Sequence, residues 1–551
     1  MSYLHDHVDR ARDLAERPGG PETSIIETLQ AIVVAFILAF VFRGFLVEPF
    51  VIPTGSMAPT LLGQHLAVAG PETGYRFEVN AVEPGSIGEG ASTGPILTLD
   101  DPMLSRHDDE DWSEPASFVV AEPRNRMGDR ILVLKYLYLL RSPRRFEVAV
   151  FKDPLRPDQN FIKRIVGLPG ESVWLADGDV FTAESSDGSY QVRRKPERVQ
   201  RSVWQPVYHS AYSPTRMSAS DWGPPWSGSG WTFEPGVGFR LDSAAPSALR
   251  YRQDLKPITD ETAYNATIPH SDGLARFDVS DIRLAAQVTP SQAGLRWAIR
   301  VGARGHEFEA RLENGRVALR SRRVVEVDDP SMEAELGSLQ EWRELAAEPA
   351  PGFEPGETTA VEFWHVDQAL YLWIDGWLVA QSAYDWSPDT RLKLATGLAP
   401  AEAHDRLDYL NPWAESLRYF PEPAMVSWTF EGSPVTLRHL ELDRDLYYQP
   451  KVIKSPGIGF EPGLATHPDR RPTLGPDHYF VLGDNSAASS DGRQWTDPAP
   501  WVRSAIDDTR GIVPRDLLIG RAFFVYFPSP EGLSERGGRF VPNFGELRFI
   551  R

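Results

Sequence analysis

The chain contains no cysteine in 551 residues. That excludes disulfide staples, thiolate zinc sites, iron–sulfur ligation and a cysteine nucleophile. Basic charge is also scarce: 57 Lys and Arg stand against 77 Asp and Glu, a net charge of −20, and no basic run exceeds a few residues. Such a surface does not neutralise a phosphate backbone, so no nucleic-acid partner is expected. The 12 histidines show no H-x-x-x-H spacing, and the close pair His5 and His7 precedes the apolar run described next. Neither a catalytic metal nor a cofactor is expected.

Long apolar runs are absent but for one, and the mean hydropathy of −0.33 excludes a polytopic membrane protein. From Thr28 to Val47 the chain has about the ~20 residues that a spanning helix needs, with Thr28, Gln30 and Arg43 near its ends. The spacing predicts an N-terminal segment over 1–27 and a transmembrane helix over 28–47, the alternative being a buried core helix. No basic n-region or small-x-small site marks it as a cleavable signal peptide.

The length implies several folding units. Strand patterns at Arg130–Leu140, Phe146–Phe151 and Phe161–Val166 are short, β-branched and bounded by turn formers. Residues 65–127 read as a small irregular insertion. Residues 190–450 hold 12 of the 16 tryptophans and two hairpin signatures, Asn314-Gly315 and Asp375-Gly376, each between alternating runs. Further strands at similar spacing predict an inserted antiparallel β-sandwich of jelly-roll type. It resembles concanavalin A-like and laminin G-like domains through the alternation that ends in Trp373-Ile374-Asp375-Gly376-Trp377. Its tryptophans are read as core, and contact with a glycan is the alternative.

Three segments carry chemistry. Ile52-Pro53-Thr54-Gly55-Ser56-Met57-Ala58-Pro59 sets a serine in a rigid turn, as an exposed nucleophile with a nearby oxyanion donor requires. In Phe161-Ile162-Lys163-Arg164-Ile165, strand alternation places Lys163 with Phe161 and Ile165 while Arg164 points away. That lysine either snorkels at an edge or is desolvated, and desolvation would make its neutral amine a general base. Gly483-Asp484-Asn485-Ser486-Ala487-Ala488-Ser489-Ser490-Asp491-Gly492-Arg493 follows a strand and is dense in hydrogen-bonding loop residues. A fourth pattern, Gly90-Ala91-Ser92-Thr93-Gly94, fits G-x-S-x-G, but no strand precedes it and Pro95 follows, so it is set aside.

In this order, after one apolar run, the three segments resemble the type I signal peptidases, membrane serine–lysine dyad peptidases. The resemblance covers about 25–68, 128–185 and 475–551. It implies a mainly β catalytic domain split into 48–64, 128–189 and 451–551. It also implies Ser56 as nucleophile, Lys163 as general base, and Thr54 with the Ser56 N–H as oxyanion hole. Ser489 stands where the family orients the amine, Asp491 and Arg493 where it has an ion pair, and Phe50, Ile52, Met57 and Ile162 by its shallow substrate pockets. The Arg-Gly-Asp that the family usually carries is missing at Arg145-Phe146-Glu147. The implied partners are preprotein signal peptides and membrane lipid, at a bacterial inner membrane with the catalytic domain extracytoplasmic. A non-catalytic surface protein, binding glycan or protein through the sandwich, is the competing class.

Overall fold

The computed structural model describes residues 25–41, 46–81, 96–104, 117–121, 125–214, 222–267, 276–326, 332, 335–336, 338–350, 352–405, 421–455, 459–532 and 540–551. The G-x-S-x-G match at 90–94, the His5/His7 pair and residues 1–24 of the N-terminal segment lie outside them. The architecture is mainly β, built from antiparallel sheets.

The N-terminal helix α1 spans Ile25–Val41, 17 residues. At 1.5 Å per residue it is about 25 Å long, less than the ~30 Å hydrocarbon core of a bilayer. Among the described residues no helix is long and apolar enough to cross a membrane. The helix predicted over 28–47 is thus corrected at its far end: Val47 already belongs to strand β1 (Val47–Val51), where Pro49 precludes a helix interior. The sides of α1 stay apolar and exposed at Leu29, Ile32, Val33, Val34, Phe36 and Ile37.

Strands β1, β2 (Arg130–Leu134), β3 (Val148–Lys152), β4 (Asn160–Gly167), β5 (His478–Leu482) and β6 (Leu518–Phe527) form an eight-stranded sheet with two short strands, Val513–Pro514 and Arg548–Phe549. Its order is β1-β2-β6-β3-β4-β5 followed by Val513–Pro514, with Arg548–Phe549 beside β6. The strand expected over Arg130–Leu140 stops at Leu134 because its pairings end there, opposite Val47 and Arg521; Leu137–Leu140 form a helical turn instead. The pleat sorts side chains between two clusters. Ile52, Met57, Val148, Val150 and Ile162 pack together, while Ala149, Phe151, Ile165, Val481 and Trp495 form the other cluster.

Two excursions leave this sheet, and each closes on itself. His65 on entry pairs with Arg126 on return, and Gln205 on entry pairs with Arg444. Because entry and exit lie side by side, either excursion can lengthen without prising the sheet apart. The first contains a three-stranded sheet and the hairpin Ile96–Asp100/Ser117–Ala121. The second is a sandwich of an eight-stranded and a seven-stranded sheet.

Asn314 and Gly315 (φ 53° and 70°) and Asp375 and Gly376 (φ 48° and 79°) make its two tight turns with the positive φ that a type I′ hairpin demands. Trp226, Trp297, Trp386 and Trp428 lie in the core between the sheets, whereas Trp377 at a hairpin tip is 78% exposed.

The sandwich docks onto the hairpin Ser172–Ala183 through buried charge. Asp179, Asp281, Asp367 and Asp445 converge within 4.8 Å, and cations answer them. Arg391 lies 2.8 Å from Asp177 and 2.9 Å from Asp179, Arg304 is 2.7 Å from Asp281, and Lys195 is 2.7 Å from Asp445. Trp428 is wholly buried against Trp297 and Phe430. Trp428→Ala is expected to destabilise the sandwich by about 3–5 kcal/mol, read from the shift in its urea unfolding midpoint.

Candidate active site

The site forms where the end of β1, the middle of β4 and the loop after β5 converge. Beyond β1 the chain is clamped on both sides of a tight turn. Ile52 N–H donates to Asp129 O at 2.9 Å, and the Asp129 carboxylate accepts from Leu62 N–H at 3.1 Å, Ser529 N–H at 3.1 Å and Arg548 at 2.8 Å. Within the turn, Ala58 N–H donates to Gly55 O and Leu61 N–H to Met57 O, at 3.0 and 2.9 Å. Met57 is driven fully into the core, so the next residue back, Ser56, is held at the surface of that core.

Lys163 reaches the turn from β4. Its Nζ lies 2.7 Å from Ser56 Oγ and 5.3 Å from the centroid of the Phe161 ring. The lysine is 3% exposed, and burial pushes its amine down to about 8 against the opposing pull of Asp491, Asp484 and Asp153. Of the two settings the sequence leaves open, edge or desolvated, the structure has the desolvated one.

The loop after β5 closes the site. Gly483 N–H donates to Asp491 Oδ2 at 3.0 Å, and Arg493 grips the same carboxylate with Nε at 2.8 Å and Nη2 at 2.7 Å. Burial works to raise the Asp491 carboxyl, but Arg493 and these hydrogen bonds outweigh it and hold the group below its ordinary range. Ser489 is buried beside Gly483, where an added Cβ would fall 2.2 Å from Ser489 Oγ and 2.4 Å from Ser56 O. Glycine is therefore the residue that lets the loop touch the serine turn. The Ser489 hydroxyl faces Asp491, and the hydrogen bond of Lys163 is to Ser56.

Thr54 is exposed two residues before Ser56. Phe50 is half-buried, while Ile52, Met57 and Ile162 pack with each other in the core beneath the turn. These three form a floor rather than an open wall.

Several residues that the sequence did not single out hold this geometry. Asp484 and Arg164 form a fully buried bidentate pair, at 2.8 and 2.6 Å, and Thr60 Oγ1 donates to the same Asp484 carboxylate at 2.6 Å. Asn485 donates its backbone N–H to Ser56 O and its amide Nδ2 to Gly55 O, both at 3.1 Å. Alternation placed Arg164 opposite Lys163 but said nothing of its partner, which lies 320 residues away. Asp484→Asn leaves Arg164 buried and unpaired and is expected to cost about 3–5 kcal/mol of stability, measured as a lowered thermal midpoint.

Comparison with known proteins follows the same segments. A family model described as "Signal peptidase, peptidase S26" matches residues 25–87, 118–214 and 459–527. Signal peptidase I of Buchnera aphidicola subsp. Acyrthosiphon pisum is 27% identical over 152 residues, 28% of this chain and 32% of the relative. Signal peptidase I of Pseudomonas aeruginosa is 35% identical over 83 residues, 15% of this chain and 26% of the relative. That of Aquifex aeolicus is 48% identical over 52 residues, 9% and 20%.

The chain thus spans about a third or less of the length of these relatives. Among solved structures, a carbohydrate binding module, CBM66 from Bacillus subtilis, aligns at a TM-score of 0.22 and 9% identity, over 40% of this chain and 95% of that one. The segments that carry Ser56, Lys163 and the closing loop match the signal peptidase S26 family model, and the chain is similar over part of its length to signal peptidase I of Buchnera aphidicola and Pseudomonas aeruginosa.

Proposed function

We propose that the chain is a membrane-anchored serine endopeptidase that removes N-terminal signal peptides from exported preproteins. The observation that carries this reading is the 2.7 Å contact between Ser56 Oγ and a buried Lys163 Nζ. With the amine neutral, the Ser56 hydroxyl donates along the same line to Nζ. Lys163 then takes the proton as Oγ bonds to the carbonyl carbon before the scissile bond, and returns it to the departing amine as the C–N bond breaks. A water deprotonated by the same lysine attacks the resulting ester, and the proton passes from Nζ to Ser56 Oγ as the ester C–O bond breaks. The Ser56 N–H and the Thr54 hydroxyl are the donors assigned to the oxyanion.

The supporting parts have roles that follow from their positions. Ser489 and the Asp491–Arg493 pair back the loop against which Lys163 is buried. Strand β1 lies at the end of its sheet, which leaves a side along which an extended substrate segment adds as a strand just before Ser56. Phe50, with Ile52, Met57 and Ile162 beneath, bounds the pockets for small side chains. No cofactor enters the scheme. The catalytic unit is assigned to 48–64, 128–189 and 451–551, with 65–127 and 190–450 as insertions.

Anchoring is assigned to α1 and the apolar residues that follow it, since exposed Leu, Ile, Val and Phe side chains on a helix need a non-aqueous surround. The catalytic sheet then stands on the extracytoplasmic face of a bacterial inner membrane. Removal of residues 1–45 is expected to move the protein from the membrane pellet to the supernatant after carbonate-free fractionation.

The expected chemistry is tested with the detergent-solubilised chain and a preprotein. Ser56→Ala and Lys163→Ala are each expected to abolish cleavage. Because the reactive form is the deprotonated amine, the wild-type rate rises with pH through a midpoint of about 8 and levels off above it. Full processing by both variants refutes the assignment.

A further inference from the structure

The inserted sandwich reaches into the Ser56 turn. Asn265 sits on the short helical turn Ala263–Asn265, within the Trp-rich excursion and 220 residues from Asn485 in sequence. Their side-chain amides pair reciprocally: Asn265 Nδ2 donates to Asn485 Oδ1 at 2.9 Å, and Asn485 Nδ2 donates to Asn265 Oδ1 at 2.7 Å. Both residues are buried. The neighbouring Tyr264 is buried with Ala58 and Leu62, and its ring lies so close that a Cβ on Gly55 would fall 2.2 Å from Tyr264 Cε1.

Hydrogen-bond accounting shows what the pair does. An Asn Nδ2 carries two hydrogens, and those of Asn485 go to Gly55 O at 3.1 Å and to Asn265 Oδ1. Were the Asn485 amide to turn over, it would present an oxygen to the Gly55 carbonyl. The reciprocal bond from Asn265 Nδ2 to Asn485 Oδ1 opposes that flip. The Gly55 carbonyl and the Ser56 N–H belong to one planar, trans peptide unit and point in opposite directions. Asn485 and the Ala58 N–H, at 3.0 Å, together hold Gly55 O, which aims the Ser56 N–H to the other side, where the oxyanion would develop.

We propose that Asn265 is a positioning residue contributed by the inserted sandwich, which sets the direction of the Ser56 N–H through Asn485 and the Gly55 carbonyl. The inference rests on Ser56 being the nucleophile. It makes the sandwich a working part of the reaction centre rather than an appendage. Among the described residues the side-chain hydrogen bonds of Asn265 are with Asn485 and not with Lys163, so its effect is expected in the transition state rather than in substrate binding.

The test is steady-state cleavage of a preprotein by the full chain, with Asn265→Ala, Asn485→Ala and the double variant run beside the wild type. Asn265→Ala is expected to lower kcat about tenfold, a loss of about 1.4 kcal/mol. KM should stay within about twofold and the pH midpoint should not move, since removing a transition-state donor changes neither binding nor Lys163. In the Asn485→Ala background the second substitution is expected to add less than about twofold, because the two residues act as one unit.

Where Asn265→Ala does not melt cooperatively, Asn265→Asp keeps the side-chain shape but lacks the donor to Asn485 Oδ1, and takes its place. A folded variant with undiminished kcat, a KM defect in place of a kcat defect, or additive losses in the double variant overturns the inference alone. A wild-type chain that leaves the preprotein uncut overturns the reading of Ser56 and this inference with it.

Discussion

The geometry depends on the buried carboxylate of Asp484. It receives two bonds from Arg164, the strand neighbour of Lys163, and one from Thr60, four residues beyond Ser56. One side chain thus ties the nucleophile turn, the lysine strand and the closing loop, three segments far apart in sequence. Arg164 extends the tie to Phe146 O at 2.8 Å and to the carbonyl of Arg551 at 3.0 Å. Two desolvated charges earn little net stability, but with both carboxylate oxygens and all three guanidinium nitrogens hydrogen-bonded they favour one arrangement. A lysine amine and a serine hydroxyl at hydrogen-bond distance require that kind of constraint.

The second constraint is topological. Long excursions are compatible with a fixed site because each begins and ends on an antiparallel pair, His65 with Arg126 and Gln205 with Arg444. Loop-closure entropy grows only slowly with length, so a sandwich of two sheets costs the sheet little more than a short loop would. What keeps the sandwich from swinging freely is the charge cluster of Asp177, Asp179, Asp281, Asp367 and Asp445 with Arg304, Arg391 and Lys195. A second set of contacts, Tyr264 on Gly55 and Asn265 on Asn485, lies against the serine turn. Beside it, Tyr264 and Asn265 also line a cavity of about 470 Å³ between the two excursions, walled by Phe77, Lys256 and Pro59.

Much of the architecture was legible from local pattern. The turns at Asn314-Gly315 and Asp375-Gly376 needed only the dipeptide and its flanking alternation, because positive φ at two successive positions is a local demand. The strand carrying Lys163 was legible from a short run of aromatic and β-branched residues over Phe161–Val166 that ends at a Gly/Pro turn. The strand predicted over Arg130–Leu140 was too long, since apolar residues such as Leu139 and Leu140 continue past the point where the neighbouring strands stop. The helix predicted to Val47 ran into β1 for a similar reason: hydropathy does not distinguish a helix from an edge strand over a few residues.

Sequence alone determined the chemical candidates at this site: a serine in a Pro/Gly-bounded turn, a lysine between apolar neighbours, and a polar loop rich in Asp, Asn and Ser. Those are properties of adjacent residues, and short-range sterics and alternation suffice to read them. Only the tertiary structure decided which pairs meet. That Lys163 is dry and aimed at Ser56, that Arg164 is matched by Asp484, and that Asn265 reaches across from the sandwich to Asn485 all depend on contacts more than a hundred residues apart in sequence. No periodicity encodes such partners, because what selects them is the desolvation cost of leaving a buried polar group alone once the sheets have packed.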